Sequence, residues 1–196
     1  MDTTPFNQDP SKTAGLVLDV GSGSKGYCAT SRGNICLDIG TPDKVPPFFI
    51  KGDVHSLPLR SELFDKVYFY DVIEHVDSPI KALQEINRVL RPKGRLELST
   101  PNPLHYRKFL RAARNKDLLL TPVPDHITTW TDAEMRNILV RTNFDRIQVD
   151  FTILEATRIC DHRHMKYDLL LFKLLPSLVR VTGRSMIVHA RKASSK

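Results

Sequence analysis

Leu16-Val17-Leu18-Asp19-Val20-Gly21-Ser22-Gly23-Ser24-Lys25-Gly26 is a short apolar run that breaks into glycines. Residues 16–20, rich in Val and Leu and stopped by Gly21, read as a buried strand. The glycines behind it let the chain turn sharply and let a ligand approach the backbone. Gly21, Gly23 and Gly26 satisfy G-x-G-x-x-G, the turn that dinucleotide enzymes set between a strand and a helix. Alone, that pattern does not choose among nucleotide ligands.

Working outward, strand-like and helix-like segments alternate, which predicts an α/β domain with a mostly parallel sheet and helices on its faces. Residues 35–38, 48–51 and 66–70 read as the second, third and fourth strands, and 95–99 as the fifth. Residues 147–154 and 185–190 complete a seven-stranded sheet; lacking a long crossover helix, they predict an antiparallel edge strand. A helix starts at Ser78 as cap with Pro79 in its first turn and runs to about Leu90. Ile80, Leu83, Ile86, Val89 and Leu90 mark its buried face, and Pro92-Lys93-Gly94 its end. Residues 106–115 read as helical, and Thr131 with Glu134 forms a capping box for a helix to about Arg141. Residues 165–181 predict a helix broken at Pro176. Only about eight residues separate Gly26 from Ile35, too few for a full crossover helix.

With 196 residues, the chain fits a flexible polar leader over 1–14 and one domain over 15–196. Three cysteines, Cys28, Cys36 and Cys160, exclude a disulfide scaffold and suit a cytoplasmic location. No signal-peptide pattern or membrane-length apolar run is present. The net charge of +7 is lopsided: residues 1–100 hold 12 Lys and Arg against 13 Asp and Glu, and residues 101–196 hold 17 against 9. That asymmetry suggests an acidic partner facing the second half, or a solvated basic surface.

Three carboxylates sharpen the reading. Asp19 stands two residues before the first glycine, Asp38 ends the second strand, and Asp53 follows the third in Gly52-Asp53-Val54-His55-Ser56-Leu57-Pro58. Strand-terminal acids line the carboxyl edge of such a sheet, where ligands bind. An acid after the second strand can take both ribose hydroxyls, and one after the third can accept from an exocyclic adenine amine. So much negative charge serves a pyrophosphate badly and a cationic amino-acid nucleoside well.

DVGSGSKG, LDIG, GDVHSLPL, FDKVYFYDVIEHV and EINRVLRPKGRLELSTPNP, in this order, resemble the class I S-adenosylmethionine-dependent methyltransferases, in the small-molecule branch called type 11, over roughly residues 15–145. The resemblance implies a Rossmann-like three-layer sandwich, with residues 15–103 binding cofactor and 104–196 recognising substrate. It implies S-adenosylmethionine as cofactor, with Asp19, Gly21 and Gly23 at its methionine end and Asp38 on the ribose. Asp53 and Val54 would hold the adenine, Ile39 would also touch the cofactor, and Asp71 would border the methionine moiety and the acceptor. One departure is Lys25, where the family prefers a third glycine; Gly26 stands next to it.

Methyl transfer from a sulfonium needs alignment above all, and a base only when the acceptor must lose a proton. Glu74, His75 and His126 are the catalytic candidates. Asp71-Val72-Ile73-Glu74-His75 is similar to an E-x-x-E-H element that binds a divalent metal in ubiquinone-biosynthesis O-methyltransferases; with Asp first, the residues are expected to stabilise the turn, and no metal is expected. Cys160-Asp161-His162-Arg163-His164 has no second ligand pair at zinc spacing and reads as a charged loop. Arg107, Arg111 and Arg114 predict a basic helix face. The expected acceptor is a small molecule, or a lipid- or glycan-linked group, with an anionic one fitting the basic half. RNA, or a non-catalytic S-adenosylmethionine-binding module, is the alternative. Residues 165–181 are compatible with peripheral membrane contact, with no transmembrane segment.

Overall fold

The computed structural model describes residues 15–23, 34–43, 45, 48–115, 125–152 and 183–194. The strands are β1 (Val17–Val20), β2 (Ile35–Asp38), β3 (Phe49–Lys51), β4 (Phe64–Tyr70), β5 (Leu90–Pro101), β6 (Phe144–Thr152) and β7 (Ser185–Lys192). They form one seven-stranded sheet in the order β3-β2-β1-β4-β5-β7-β6. The first five pair in parallel, and β7 runs antiparallel to both β5 and β6. The α/β architecture, mostly parallel with antiparallel pairing at one edge, is the expected one. The reversed strand sits one place in from the edge strand β6.

Register explains the core. Leu18 lies opposite Val67, Val20 opposite Leu37, and Val67 opposite Leu96, so these residues share one face of the sheet. Against that face pack α1 (Pro79–Val89) through Leu83, Ile86 and Val89, and α3 (Asp132–Arg141) through Met135, Ile138 and Leu139. Phe69, Leu18 and Leu83 are wholly buried there, each stabilising the fold by roughly 1.5–3 kcal/mol. The opposite face is sheltered as well: Val17, Cys36 and Ile187 are buried. α2 (Tyr106–Asn115) follows β5.

The capping box is present as expected. Thr131 Oγ1 accepts from the Glu134 backbone N–H, and the Glu134 carboxylate accepts from the Thr131 N–H at 2.9 Å. α1 has the expected bounds, Pro79–Val89 with Ser78 at the cap position, but differs in detail. Ser78 occupies the cap position without a side-chain cap bond. Ile80 is exposed, while Ala82 and Asn87 are buried, because β5 and the turn after β4 take the face rotated away from Ile80. At the other end, Pro92-Lys93-Gly94 does not form a loop. β5 begins at Leu90, paired with Phe64, and absorbs those residues in a register shift around Lys93, whose φ is +63°. β6 likewise begins earlier than predicted, at Phe144, with a shift between Asp145 and Gln148 and a positive φ at Arg146. Residues 1–14, Lys25 to Ser31, residues 160–164 and residues 165–181 lie outside the described residues.

Candidate functional site

Because β3, β2, β1 and β4 are adjacent and parallel, their carboxyl ends open on one edge. The segments leaving that edge carry, in spatial order, Asp53, Asp38, the Asp19–Gly23 turn and Asp71. Three inter-strand steps of about 4.8 Å set these groups along roughly 14 Å. Asp19 pairs in register with Cys36, so Asp19 and Asp38 project from the same face; Asp19 is buried.

Gly21 and Gly23 adopt φ of +72° and +90°. At Gly21 the need for glycine is double: a Cβ there would lie 2.2 Å from Val72 Cγ2. The turn therefore packs directly on the segment after β4. Its N–H groups are anchored to β2: Gly21 and Ser22 donate to the Leu37 carbonyl at 2.8 and 3.2 Å. Asp38 grips the same turn, with Oδ2 accepting from Gly23 N–H at 2.8 Å and Oδ1 from Gly40 N–H at 2.8 Å. Ile39, next to it, is strongly exposed.

Gly52 N–H donates to the Asp38 carbonyl at 2.9 Å, bringing the ends of β2 and β3 together. Asp53 Oδ1 accepts from the His55 backbone N–H at 2.8 Å and meets His55 Nδ1 at 2.7 Å. His55 Nε2 accepts from Ser78 N–H, so the ring proton sits on Nδ1 and is donated to Asp53. The His55 N–H holds the Asp53 carboxyl below its ordinary value. Val54 is buried beside it. Asp71 has φ +53°; its N–H donates to the Ser99 carbonyl and its Oδ1 accepts from Ser99 Oγ at 2.7 Å.

Beyond Asp71, a single 3-10 turn, Ile73–His75, brings up a second group. Ile127 N–H and Thr128 N–H both donate to the Glu74 carbonyl, at 2.8 and 3.2 Å, which staples residues 125–130 to this turn. His126 is thereby set edge-on to His75, with ring centroids 4.8 Å apart. His75 Nδ1 lies 2.7 Å from the Asp125 carbonyl. Glu74 is 1% exposed, and neither carboxylate oxygen has a hydrogen-bond partner. Burial pushes its carboxyl up to about 8, helped by the Asp71 charge. Burial, then the His75 ring and Lys108, hold the His126 imidazole below its ordinary value, so it is neutral at pH 7.

The cofactor-binding and catalytic candidates that fall among the described residues gather at this edge: Asp19, Gly21, Gly23, Asp38, Ile39, Asp53, Val54 and Asp71 along the strand ends, and Glu74, His75 and His126 beside them; Gly26 and residues 160–164 lie outside the described residues. Ser99 and Val72 were not singled out; their roles depend on register between strands, which leaves no local signal. Leu104, Phe109, Leu110 and Ile127 are also exposed large hydrophobics flanking this region in sequence. Single apolar residues in polar segments were the only sign of them. The side chains of Arg107, Arg111 and Arg114 lie outside the described residues.

A family model described as "Methyltransferase domain" matches residues 18–98. Among curated relatives, a demethylmenaquinone methyltransferase of Chlamydia muridarum is 41% identical over 66 residues, covering 30% of this chain and 29% of the relative. A malonyl-[acyl-carrier protein] O-methyltransferase of Enterobacter lignolyticus is 30% identical over 102 residues, covering 46% and 41%. The chain thus spans less than half the length of these relatives. Among solved structures, an S-adenosylmethionine-dependent methyltransferase of Thermotoga maritima superposes with a TM-score of 0.63 at 16% identity, over 92% of this chain and 83% of that one. That likeness is one of fold. Among the described residues, no helix is long and apolar enough to cross a membrane.

Proposed function

We propose that this chain is a class I S-adenosylmethionine-dependent methyltransferase that moves a methyl group onto a small-molecule or lipid- or glycan-linked acceptor with an anionic group; the methyltransferase-domain match over residues 18–98 and the likeness of fold support the reading. The observation that carries the reading is the row of acids delivered to one edge by four adjacent parallel strands. That row suits the positive charges of a sulfonium and an ammonium. It fits the cofactor in a further respect: Gly21 and Gly23 clear the backbone beside it, at positive φ.

Asp19 and the Gly21–Gly23 turn hold the methionine end. Asp38 takes the ribose hydroxyls; its two oxygens each accept one N–H and keep lone pairs to spare. Ile39, exposed, and Val54 flank the adenine, and Asp53 accepts from its amine. Asp71 borders both methionine and acceptor. Bound there, S-adenosylmethionine supplies a methyl already activated for transfer, so the chain's work is alignment. Glu74, His75 and His126 face the acceptor. A neutral imidazole at His126 can take a proton from an acceptor hydroxyl or amine. Lys108 supplies positive charge for an anionic acceptor, and Leu104, Phe109, Leu110 and Ile127 supply apolar surface for its body. On this reading the reaction runs in the cytoplasm, in keeping with three cysteines at no paired spacing.

Calorimetry with S-adenosylmethionine and its demethylated product tests the reading. Asp38→Ala weakens cofactor binding at least ~tenfold, about 1.4 kcal/mol, while the circular dichroism spectrum is kept. Unchanged affinity removes Asp38 from the site, and a wild-type protein with no affinity for either compound defeats the assignment.

A further inference from the structure

We infer that Glu74, His75 and His126 form a binding site for one divalent transition ion of the Zn2+ class, on the acceptor side of the cofactor edge. Each can offer one ligand atom, and the three atoms lie within 4.8 Å of one another. A tetrahedral ion with bonds of 2.0–2.1 Å separates its ligands by roughly 3.4 Å, so side-chain rotation suffices to close the site.

Three further observations point the same way. First, Glu74 is buried with both oxygens bare. Native interiors rarely leave a carboxylate so, and a cation is the partner such a group lacks. Secondly, the Asp125 carbonyl can only accept, so His75 Nδ1 must carry the proton at their 2.7 Å contact. That fixes the tautomer and leaves the Nε2 lone pair unprotonated, as metal-bound imidazoles are held by a carbonyl on their other nitrogen. Thirdly, the two segments that supply the histidines are locked together by backbone bonds from Ile127 and Thr128 to the Glu74 carbonyl, reinforced by His75 Nδ1 on the Asp125 carbonyl and Thr128 Oγ1 on the Ile73 carbonyl. The convergence of His75 and His126 is therefore built into the fold.

Two imidazoles and one carboxylate select zinc, iron, cobalt or nickel over magnesium or calcium, which take oxygen ligands. Three protein ligands leave a position open, and an acceptor hydroxyl placed there would lose its proton at neutral pH more readily; with an ion bound this replaces His126 as proton acceptor, a role that belongs to the ion-free chain. Only this consequence rests on the methyltransferase reading; the binding site itself does not.

Metal-free protein is titrated with Zn2+ by calorimetry and with Co2+ by visible absorption. We expect one ion per chain, cobalt bands of low-coordinate nitrogen–oxygen ligation, and a rise in thermal midpoint on adding Zn2+. His126→Ala and Glu74→Gln each weaken binding at least tenfold and abolish the midpoint rise, while His189→Ala, on β7, retains both. Absence of stoichiometric binding in the wild type, or binding that survives His126→Ala with Glu74→Gln combined, overturns the site. Cofactor calorimetry run beside it separates the two readings: loss of S-adenosylmethionine affinity with ion binding intact defeats the methyltransferase assignment alone.

Discussion

Two glutamates largely withdrawn from solvent, Glu74 beside the site and Glu97 in the middle of β5, show opposite treatments of the same side chain. Glu97 is 14% exposed in its side chain and surrounded: Lys66 Nζ lies 2.6 Å away, His189 Nδ1 3.5 Å away, and the Tyr70 hydroxyl donates to it. Lys66 also donates to the Tyr68 hydroxyl at 3.0 Å. Burial alone would raise the Glu97 carboxyl, but the bonds from His189, Lys66 and Tyr70 outweigh it and hold it at about 2. Glu74, more deeply buried at 1% exposure, has no such partner and is pushed up to about 8. The sheet completes its own polar network where strands must stay paired. At the site edge the chain leaves a group incomplete, so that something else can complete it.

The largest way to break the comparison is Glu97→Ala. It removes the carboxylate that Lys66 and Tyr70 share and leaves the Lys66 ammonium with the neutral Tyr68 hydroxyl in place of an opposite charge. Removing one partner of a buried pair costs about 3–5 kcal/mol, and the partial exposure here sets the expectation near the lower figure. Denaturant unfolding should show it as a lower midpoint with an unchanged slope. A loss below about 0.5 kcal/mol would mean that the network is ornamental and that Glu97 and Glu74 are alike.

A smaller effect follows from acid. In the unfolded chain the Glu97 carboxyl titrates near its ordinary 4.5, and folding lowers it to about 2. The folded state therefore gains stability from it above the unfolded value, and that gain drains away as pH falls from about 4.5 to about 2. The groups facing it are Lys66, Tyr70 and His189, with Tyr68 bonded to Lys66. The contribution is at most about 3 kcal/mol, shared with Lys66 and not additive to it. Unfolding curves measured across that window should fall less steeply for Glu97→Gln than for wild type.

The same contrast explains what could be seen in the sequence. β1, the glycine turn, β2 and the acids after each strand were legible, since each is set by a few contiguous residues whose order dictates its place on the edge. The Thr131–Glu134 capping box was legible for the same reason. Glu97 was not: alternation in β5 marks it as an outward polar residue, and only the neighbours Lys66, Tyr70 and His189, from β4 and β7, turn that face into a buried network. Periodicity in α1 gave a face but not its rotation, which tertiary contacts fix, so Ile80 ended outside and Ala82 and Asn87 inside. The extension of β5 back to Leu90 depended on pairing with Phe64 across a bulge. The meeting of His75 with His126 rests on backbone bonds between segments distant in the chain, for which no local pattern exists.

The smallest expected effect sharpens the comparison most. At pH 7 a carboxyl held at about 8 is mainly protonated, so in the metal-free chain Glu74 resembles its own amide in charge and shape. Glu74→Gln should then alter the stability of metal-free protein by no more than about 1 kcal/mol in either direction, since it trades one poorly satisfied neutral group for another. The corresponding Glu97→Gln removes a charge that Lys66 requires and should cost measurably more. Both variants keep side-chain volume, so any difference between them reports partners and not packing. If Glu74→Gln destabilised the protein as much as Glu97→Gln, Glu74 would be charged and partnered in solution, and the site edge would be as complete as the sheet.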